Sequence, residues 1–383
     1  MNSKIGTQSM RLDCAPQILE TASIVGTKEG QGPLGAYFDE IEPDAYFGGQ
    51  SWEEGESLMQ KRTMKLLLKK ANLDAKQLDC VFSGDLLGQN IASSFGLMDF
   101  FIPFFGLYGA CSTIGEAMTL AAITVSSGGA DLSCAVSSSH FASAEKTFRY
   151  PLEYGNQRPY SATFTVTGCG AILLGNGASP SNEDITPHEN TASKISSHSN
   201  NSFTADKTKS MRRDAAKSSS NVKKGFARIP ALTIGKITDY GLKDSMNMGA
   251  CMAPAAADTL LAHFKDFGAE PHDYDKIITG DLGAIGQKIL IDLLMDEGID
   301  ISAVHMDCGI EMFYSDKQDT HAGASGCGCA ATTFCSFIAK KLREGIWHRI
   351  LFLPTGALLS PTSFNQGNSV PGIAHCLVIE GCK

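Results

Sequence analysis

Apolar and polar positions follow two rhythms along this chain, and the changes between them mark out its elements. Across residues 56–71, Leu58, Met59, Met64, Leu66, Leu67 and Leu68 recur among lysines and arginines, which predicts an amphipathic helix. Residues 79–84 form a short apolar run that ends in a glycine turn, the pattern of a buried strand, and Asp85 follows it. An apolar, aromatic run over 100–108 leads into Gly109-Ala110-Cys111-Ser112. Behind that turn Ile114, Met118, Ala121, Ala122 and Val125 fall on one helical face. Residues 132–137 and 165–174 read as further strands. In the second part a β-like run covers 229–237, a helix 255–267 and a strand 274–279.

The same landmarks then return in the same order. Thr279-Gly280-Asp281-Leu282 repeats Ser83-Gly84-Asp85-Leu86, again directly after a short buried strand. Gly323-Ala324-Ser325-Gly326-Cys327 opens a helix to about residue 342, as Gly109-Ala110-Cys111 opened one. Strands at 349–353 and 375–380 close the second part as 132–137 and 165–174 closed the first. This is an internal duplication. Strand–helix alternation makes each half α/β with a largely parallel sheet. The halves are 1–177 and 226–383. Between them, 178–225 is rich in Ser, Asn, Lys and Thr, too poor in apolar residues to offset its ordering entropy, and is expected to be a disordered insertion.

Composition narrows the function. The 383 residues are 43% hydrophobic and carry a net charge of −9, which argues against nucleic acid and against a polybasic grip on lipid. No uncharged apolar run is long enough for a membrane span and no secretory leader opens the chain, so a soluble, cytosol-type protein is expected. The 12 cysteines are spread through apolar contexts, and Cys327-x-Cys329 lacks zinc-ligand spacing, so no metal site is expected.

Cys111 is the residue with a chemical role in prospect. At the first turn of a helix a thiol faces unpaired N–H groups and the positive end of the helix dipole, both of which favour thiolate. A small buried cysteine in a tight helix–sheet contact accounts for the same residues.

A duplicated α/β chain with Gly-Ala-Cys-Ser at a helix start resembles the thiolase and ketoacyl-synthase superfamily. The resemblance implies a five-layer αβαβα sandwich, a homodimer, and a cysteine that takes an acyl group from a thioester. His321 ahead of Gly323-Ala324-Ser325-Gly326 resembles a catalytic segment of thiolases, but one residue is missing between them. No histidine follows the strand at 277–281, where Asp281 is the nearest polar group, and the Ser325 region replaces a catalytic Asn. Cys111 thus reads as a vestigial nucleophile, without the base and enolate-stabilising pair that condensation needs.

Longer runs are more specific. Gly84-Asp85-Leu86-Leu87-Gly88-Gln89-Asn90, Phe148-Arg149-Tyr150-Pro151-Leu152-Glu153-Tyr154-Gly155, Met252-Ala253-Pro254-Ala255-Ala256-Ala257-Asp258-Thr259 and Asp307-Cys308-Gly309 are similar to the stage V sporulation protein AD family. That resemblance implies a non-catalytic protein that binds dipicolinic acid, free or as its calcium chelate, for uptake into the developing spore. It also implies partners among the other stage V sporulation protein A membrane subunits, peripheral at the spore inner membrane. Acyl transfer through Cys111 and a purely structural role are the alternatives. A flat dianion suits helix N-termini, backbone N–H groups and a few cations. Cys111 and Ser325 supply the first, with Lys146 and Arg149 as cations and His140 and His321 as donors. Asp85 and Asp281, related by the duplication, are expected to face one cleft and to hold Ca²⁺ or a protonated ligand.

Overall fold

Two runs of five strands, one in each half, repeat a single order in the computed structural model, which describes residues 2–148, 157–176 and 224–382. The first half contains β1 (Gln17–Gly26), β2 (Cys80–Gly84), β3 (Phe104–Gly106), β4 (Leu132–Ser139) and β5 (Gly168–Gly175). The second contains β6 (Ala227–Thr233), β7 (Lys276–Gly280), β8 (His305–Asp307), β9 (Arg349–Ala357) and β10 (Cys376–Gly381). Within the first half the order is β1-β5-β4-β2-β3, and within the second β6-β10-β9-β7-β8, so each strand has its counterpart. β4, β2 and β3 pair in parallel, whereas β5 runs antiparallel to β4 and β1 on either side. β10 is reversed in the same way. The largely parallel sheet is therefore interrupted once per half, where the chain returns to the centre. The halves join through Ile18–Ala227 and Gln17–Arg228, the short pairing of β1 with β6.

Helices fill three layers around these sheets. Helix α1 (Trp52–Ala71) starts one turn earlier than its apolar pattern, because the Ser51 side chain accepts the Glu54 N–H and caps it. It ends at Asn72, in left-handed conformation, and packs Met59, Met64 and Leu67 on the outside of the first sheet. Helix α2 (Thr113–Ser126) lies between the sheets with Ile114, Met118, Ala121, Ala122 and Val125 all buried. The short helix α3 (Phe141–Phe148) follows β4.

In the second half α4 (Met248–Phe267) also begins before its expected start at 255. Asn247 caps it, and Pro254 is carried inside a helix walled by buried alanines, against the usual reading of proline as a stop. Helix α5 (Gly283–Asp296) packs beside α4. Opposite α2 stands α6 (Cys327–Thr333), continued by a π turn (Phe334–Ile338) and a last α segment (Ala339–Arg343). The sequence is thus α1, sheet, α2 with α6, sheet, α4 with α5: a five-layer αβαβα sandwich. Its three largest apolar clusters are the two outer layers and the central one. The insertion expected at 178–225 lies, up to residue 223, outside the described residues, as does Arg149. Among the described residues no helix is long and apolar enough to cross a membrane.

Candidate functional site

The turn before α2 is tied on every side. Ser112 Oγ donates to the Gly109 carbonyl at 2.7 Å, and Thr113 Oγ1 donates to the Ala110 carbonyl at 2.6 Å while accepting the Gly109 N–H. The Ser112 and Thr113 N–H groups close onto the carbonyls of Gly109 and Ala110. Ala110 takes a left-handed φ of 50°. From the second half, a Cβ on Gly356 would stand 2.2 Å from the Gly109 oxygen, so only glycine lets the end of β9 press on this turn. Cys111 consequently sits two residues ahead of the helix, not in its first turn, and the N–H groups of Ser112 and Thr113 are already paired within the turn. The helix terminus offers this thiol less than its position in the sequence suggests.

Cys111 lines a small pocket of about 30 Å³, roughly the space of one or two water molecules. Leu86, Phe148, Met248 and Leu359 close it with apolar surface, and Tyr108, Thr165 and Ser325 are its other polar neighbours. Among the described residues no cationic side chain lines it. Ser325 enters through a two-residue parallel pairing of Ala324–Ser325 with Phe164–Thr165, and Thr163 Oγ1 donates to its hydroxyl at 2.8 Å.

The other expected residues are dispersed. Asp85 is fully buried, but its carboxylate accepts Leu87 N–H at 2.9 Å, Ser93 N–H at 2.8 Å and Ser93 Oγ at 2.6 Å, so it ties the loop after β2. Burial pushes its titration up, against the pull of those donors. His140 donates from Nε2 to the Ala45 carbonyl at 2.7 Å and accepts the Ala142 N–H at Nδ1. Burial lowers its pKa, and it borders a separate pocket of about 230 Å³ beside Trp52 and Phe141. Lys146 pairs with Glu53 at the surface and lies over the Trp52 ring. His321 turns outward, 3.0 Å from Asp319 and against Tyr160. Its left-handed backbone fits the shortened spacing before the glycine run.

Asp281 behaves differently. It is fully buried with φ 69°, and no donor of ordinary hydrogen-bond geometry meets either carboxyl oxygen. The thiols of Cys329 and Cys111 are the groups beside it; burial drives its pKa well above the usual carboxylate range. Asp85 and Asp281 therefore do not share one cleft as carboxylate partners: one is bound to its own loop and the other stands behind Cys111. Among the described residues no cluster of three His, Cys, Asp or Glu side chains is arranged to hold a metal ion.

Two contributors were missed in the sequence. Cys327, the second half's counterpart of Cys111 at the start of α6, donates to the Ala110 carbonyl at 2.9 Å and so backs the cavity wall. Asp307 accepts from Thr279 Oγ1 at 2.7 Å and from the N–H groups of Leu282, Gly283, Gly309 and Ile310. The duplication pointed to Cys327, whose alignment with Cys111 was visible; nothing in the spacing singled out Asp307 as a buried acceptor.

Comparisons with known proteins agree with the fold. The sequence pattern of the stage V sporulation protein AD family matches residues 6–380. The chain is 38% identical to stage V sporulation protein AD of Bacillus subtilis (strain 168) over 355 residues, covering 93% of this chain and 91% of that protein. Solved structures similar in fold include 3-oxoacyl-(acyl carrier protein) synthase III of Pseudomonas aeruginosa (TM-score 0.53, 11% identity, 96% of this chain and 99% of that one). The synthase III of Aquifex aeolicus gives a TM-score of 0.52 at 11% identity over 95% and 99% of the two chains. OleA of Xanthomonas campestris with cerulenin bound gives 0.52 at 14% identity over 96% of each. At these identities the likeness is one of fold.

Proposed function

Because the chain belongs to the stage V sporulation protein AD family, we propose that it is a non-catalytic binding protein of spore formation. Its ligand is dipicolinic acid, taken into the Cys111 cavity for delivery to a channel complex at the spore inner membrane. The observation that carries the non-catalytic reading is the company of Cys111. An acyl-transfer nucleophile needs a neighbour that accepts its proton. Asp281 stands there with its proton held by burial, and His321 faces the surface.

Dipicolinate needs more room than this small pocket offers, so binding requires apolar wall residues such as Phe148 or Met248 to swing aside. The ring then meets apolar walls, and Ser325, Thr165 and Cys111 are the polar contacts within reach. Ca²⁺, if it enters, arrives on the ligand.

Calorimetric titration of the purified protein tests this. Saturable dipicolinate binding is expected, lost in Phe148→Trp, which fills the cavity, with the fold intact. No heat at millimolar dipicolinate would count against it. Intact-mass measurement after incubation with acyl-CoA species separates the acyltransferase alternative: no gain is expected, and a gain on Cys111 contradicts the reading. Normal assembly by variants that no longer bind supports a purely structural role instead.

A second copy of the chain is the partner that fits the edge at β3, which no further strand pairs among the described residues. Phe104 and Phe105 are exposed there, and Phe101, in left-handed conformation, is 92% exposed beside Phe95 and Met98. An unpaired strand edge in an aromatic patch favours edge-to-edge pairing of two copies. Sedimentation should give a dimer that Phe105→Glu dissociates; a monomeric wild type at high micromolar concentration would exclude this pairing.

A further inference from the structure

Behind the pocket wall, two buried acids from different elements are joined through a single amide on α1. Asp85 ties the loop after β2 and accepts Ser93 Oγ, from the short helix Ile91–Leu97, at 2.6 Å. Glu56, one turn before Gln60 on α1, accepts Ser138 Oγ at the end of β4 at 2.8 Å and Ser143 Oγ on α3 at 3.1 Å. Gln60 stands between the two acids. Its Nε2 donates to Ser93 Oγ at 3.0 Å and to Ser138 Oγ at 2.7 Å. Each of those hydroxyls has one hydrogen and gives it to a carboxylate, so each needs a donor from the other side. One side-chain amide supplies both, and its carbonyl faces Ser83 Oγ at 3.4 Å. Every member of this chain of bonds is fully buried, where a lost donor is not replaced by bulk solvent.

Both ends of the chain lead to the pocket. Leu86 follows Asp85, Ala144 follows Ser143, and Phe148 lies one turn further along α3; all three line the pocket and pack together. Gln60 itself is outside that lining. We propose that Gln60 is a positioning residue for the pocket: through Ser93 and Ser138 it fixes the Leu86 loop and the start of α3 relative to each other. Ligand entry then moves the Phe148 end of the wall and leaves its base in place. This rests on the pocket being the ligand site, and it names the residue that holds the shape of that site.

Amide hydrogen exchange of the full-length protein without ligand, read peptide by peptide, tests this. Wild type is compared with Gln60→Met, which keeps the length of the side chain but has no donor. Leu67→Ala, which removes core contacts on the same helix, is the control. In Gln60→Met, protection should be lost together in the loop 85–93, whose Leu87 and Ser93 N–H groups bind Asp85, and in α3. The β9–β10 ladder should keep its wild-type rates. Ser93→Ala and Ser138→Ala each cut one arm and should reproduce one half of the pattern, which also covers a failure of Gln60→Met to fold. Unchanged protection at both places overturns the proposal. So does a loss shared by the β9–β10 ladder, or the same pattern in Leu67→Ala, because a merely structural contribution does that. Dipicolinate affinity by calorimetry should fall about tenfold in Gln60→Met, the effect of one charge-linked hydrogen bond, and stay near wild type in Leu67→Ala. Equal affinity in Gln60→Met and wild type also overturns it. Absent heat with the wild type removes the ligand from the account, and the exchange pattern alone then decides whether Gln60 sets the two walls.

Discussion

Asp85 follows β2 and Asp281 follows β7, the same place in the two halves, and the chain treats them in opposite ways. Asp85 binds three donors of its own loop. In the second half that tethering has passed to Asp307, which gathers the Leu282 and Gly283 N–H groups of the loop after β7. Asp281 is thereby released from scaffolding and left beside Cys111. The outer strands differ too: β3 is bare and aromatic, whereas its counterpart β8 is buried along its length. A duplicated fold supplies every structural position twice, so one copy of a residue can hold the chain while the other is free for chemistry or contact.

The sharpest way to break that comparison is to exchange the roles. Asp307→Ala leaves several buried donors unpaired and should cost about 3–5 kcal/mol in denaturant unfolding. Asp85→Ala should cost about 2–3 kcal/mol by the same mechanism. Asp281→Asn removes no partner and should stay within about 1 kcal/mol of wild type, or stabilise. A cost for Asp281→Asn equal to that for Asp85→Ala would show that the two acids serve alike.

A buried acid away from the cavity sets a pH dependence. Glu29 is fully buried, accepts the Thr167 N–H, and is pushed up to about 7 by burial. The folded protein holds this proton where the unfolded chain has released it. Stability from this site is therefore complete below about pH 4.5 and is lost as pH rises through 7. Buried His263, His305 and His375, lowered to about 4 by burial, work the other way and weaken the fold as pH falls below about 6.5. Glu29→Gln should consequently gain on wild type by about 3 kcal/mol between pH 5 and pH 8, read from urea midpoints at each pH. Parallel pH profiles would refute the assignment.

Gly356→Ala probes the contact between halves directly. Its methyl group would collide with the Gly109 carbonyl, costing about 1–3 kcal/mol as the Cys111 turn is displaced. Dipicolinate affinity should fall with it, whereas Gly367→Ala, at an exposed glycine with nothing within 4 Å, should leave the ligand heat unchanged.

The architecture was largely legible in the sequence, because it rests on signals that survive without tertiary information. Apolar periodicity located α2 and its buried face, and the echo of Ser83-Gly84-Asp85 in Thr279-Gly280-Asp281 located the duplication. Boundaries failed where a cap outranked the apolar pattern, at Ser51 and Asn247, and where Pro254 was absorbed within a helix. The cavity was legible only at Cys111 and Ser325. Which acid is satisfied and which is not depends on donors that no local spacing marks, such as the Gly283 N–H for Asp307. No local pattern encodes that His140 would close onto the Ala45 carbonyl or that Cys327 would support Ala110.

A crystal structure of the protein soaked with dipicolinate tests the central claim most directly. The account predicts the pyridine ring beside Cys111 and Ser325, with Phe148 or Met248 moved aside, Asp281 behind the thiol and no covalent bond to sulfur. An empty cavity at saturating ligand, with the ring instead beside Trp52 and His140, would contradict it.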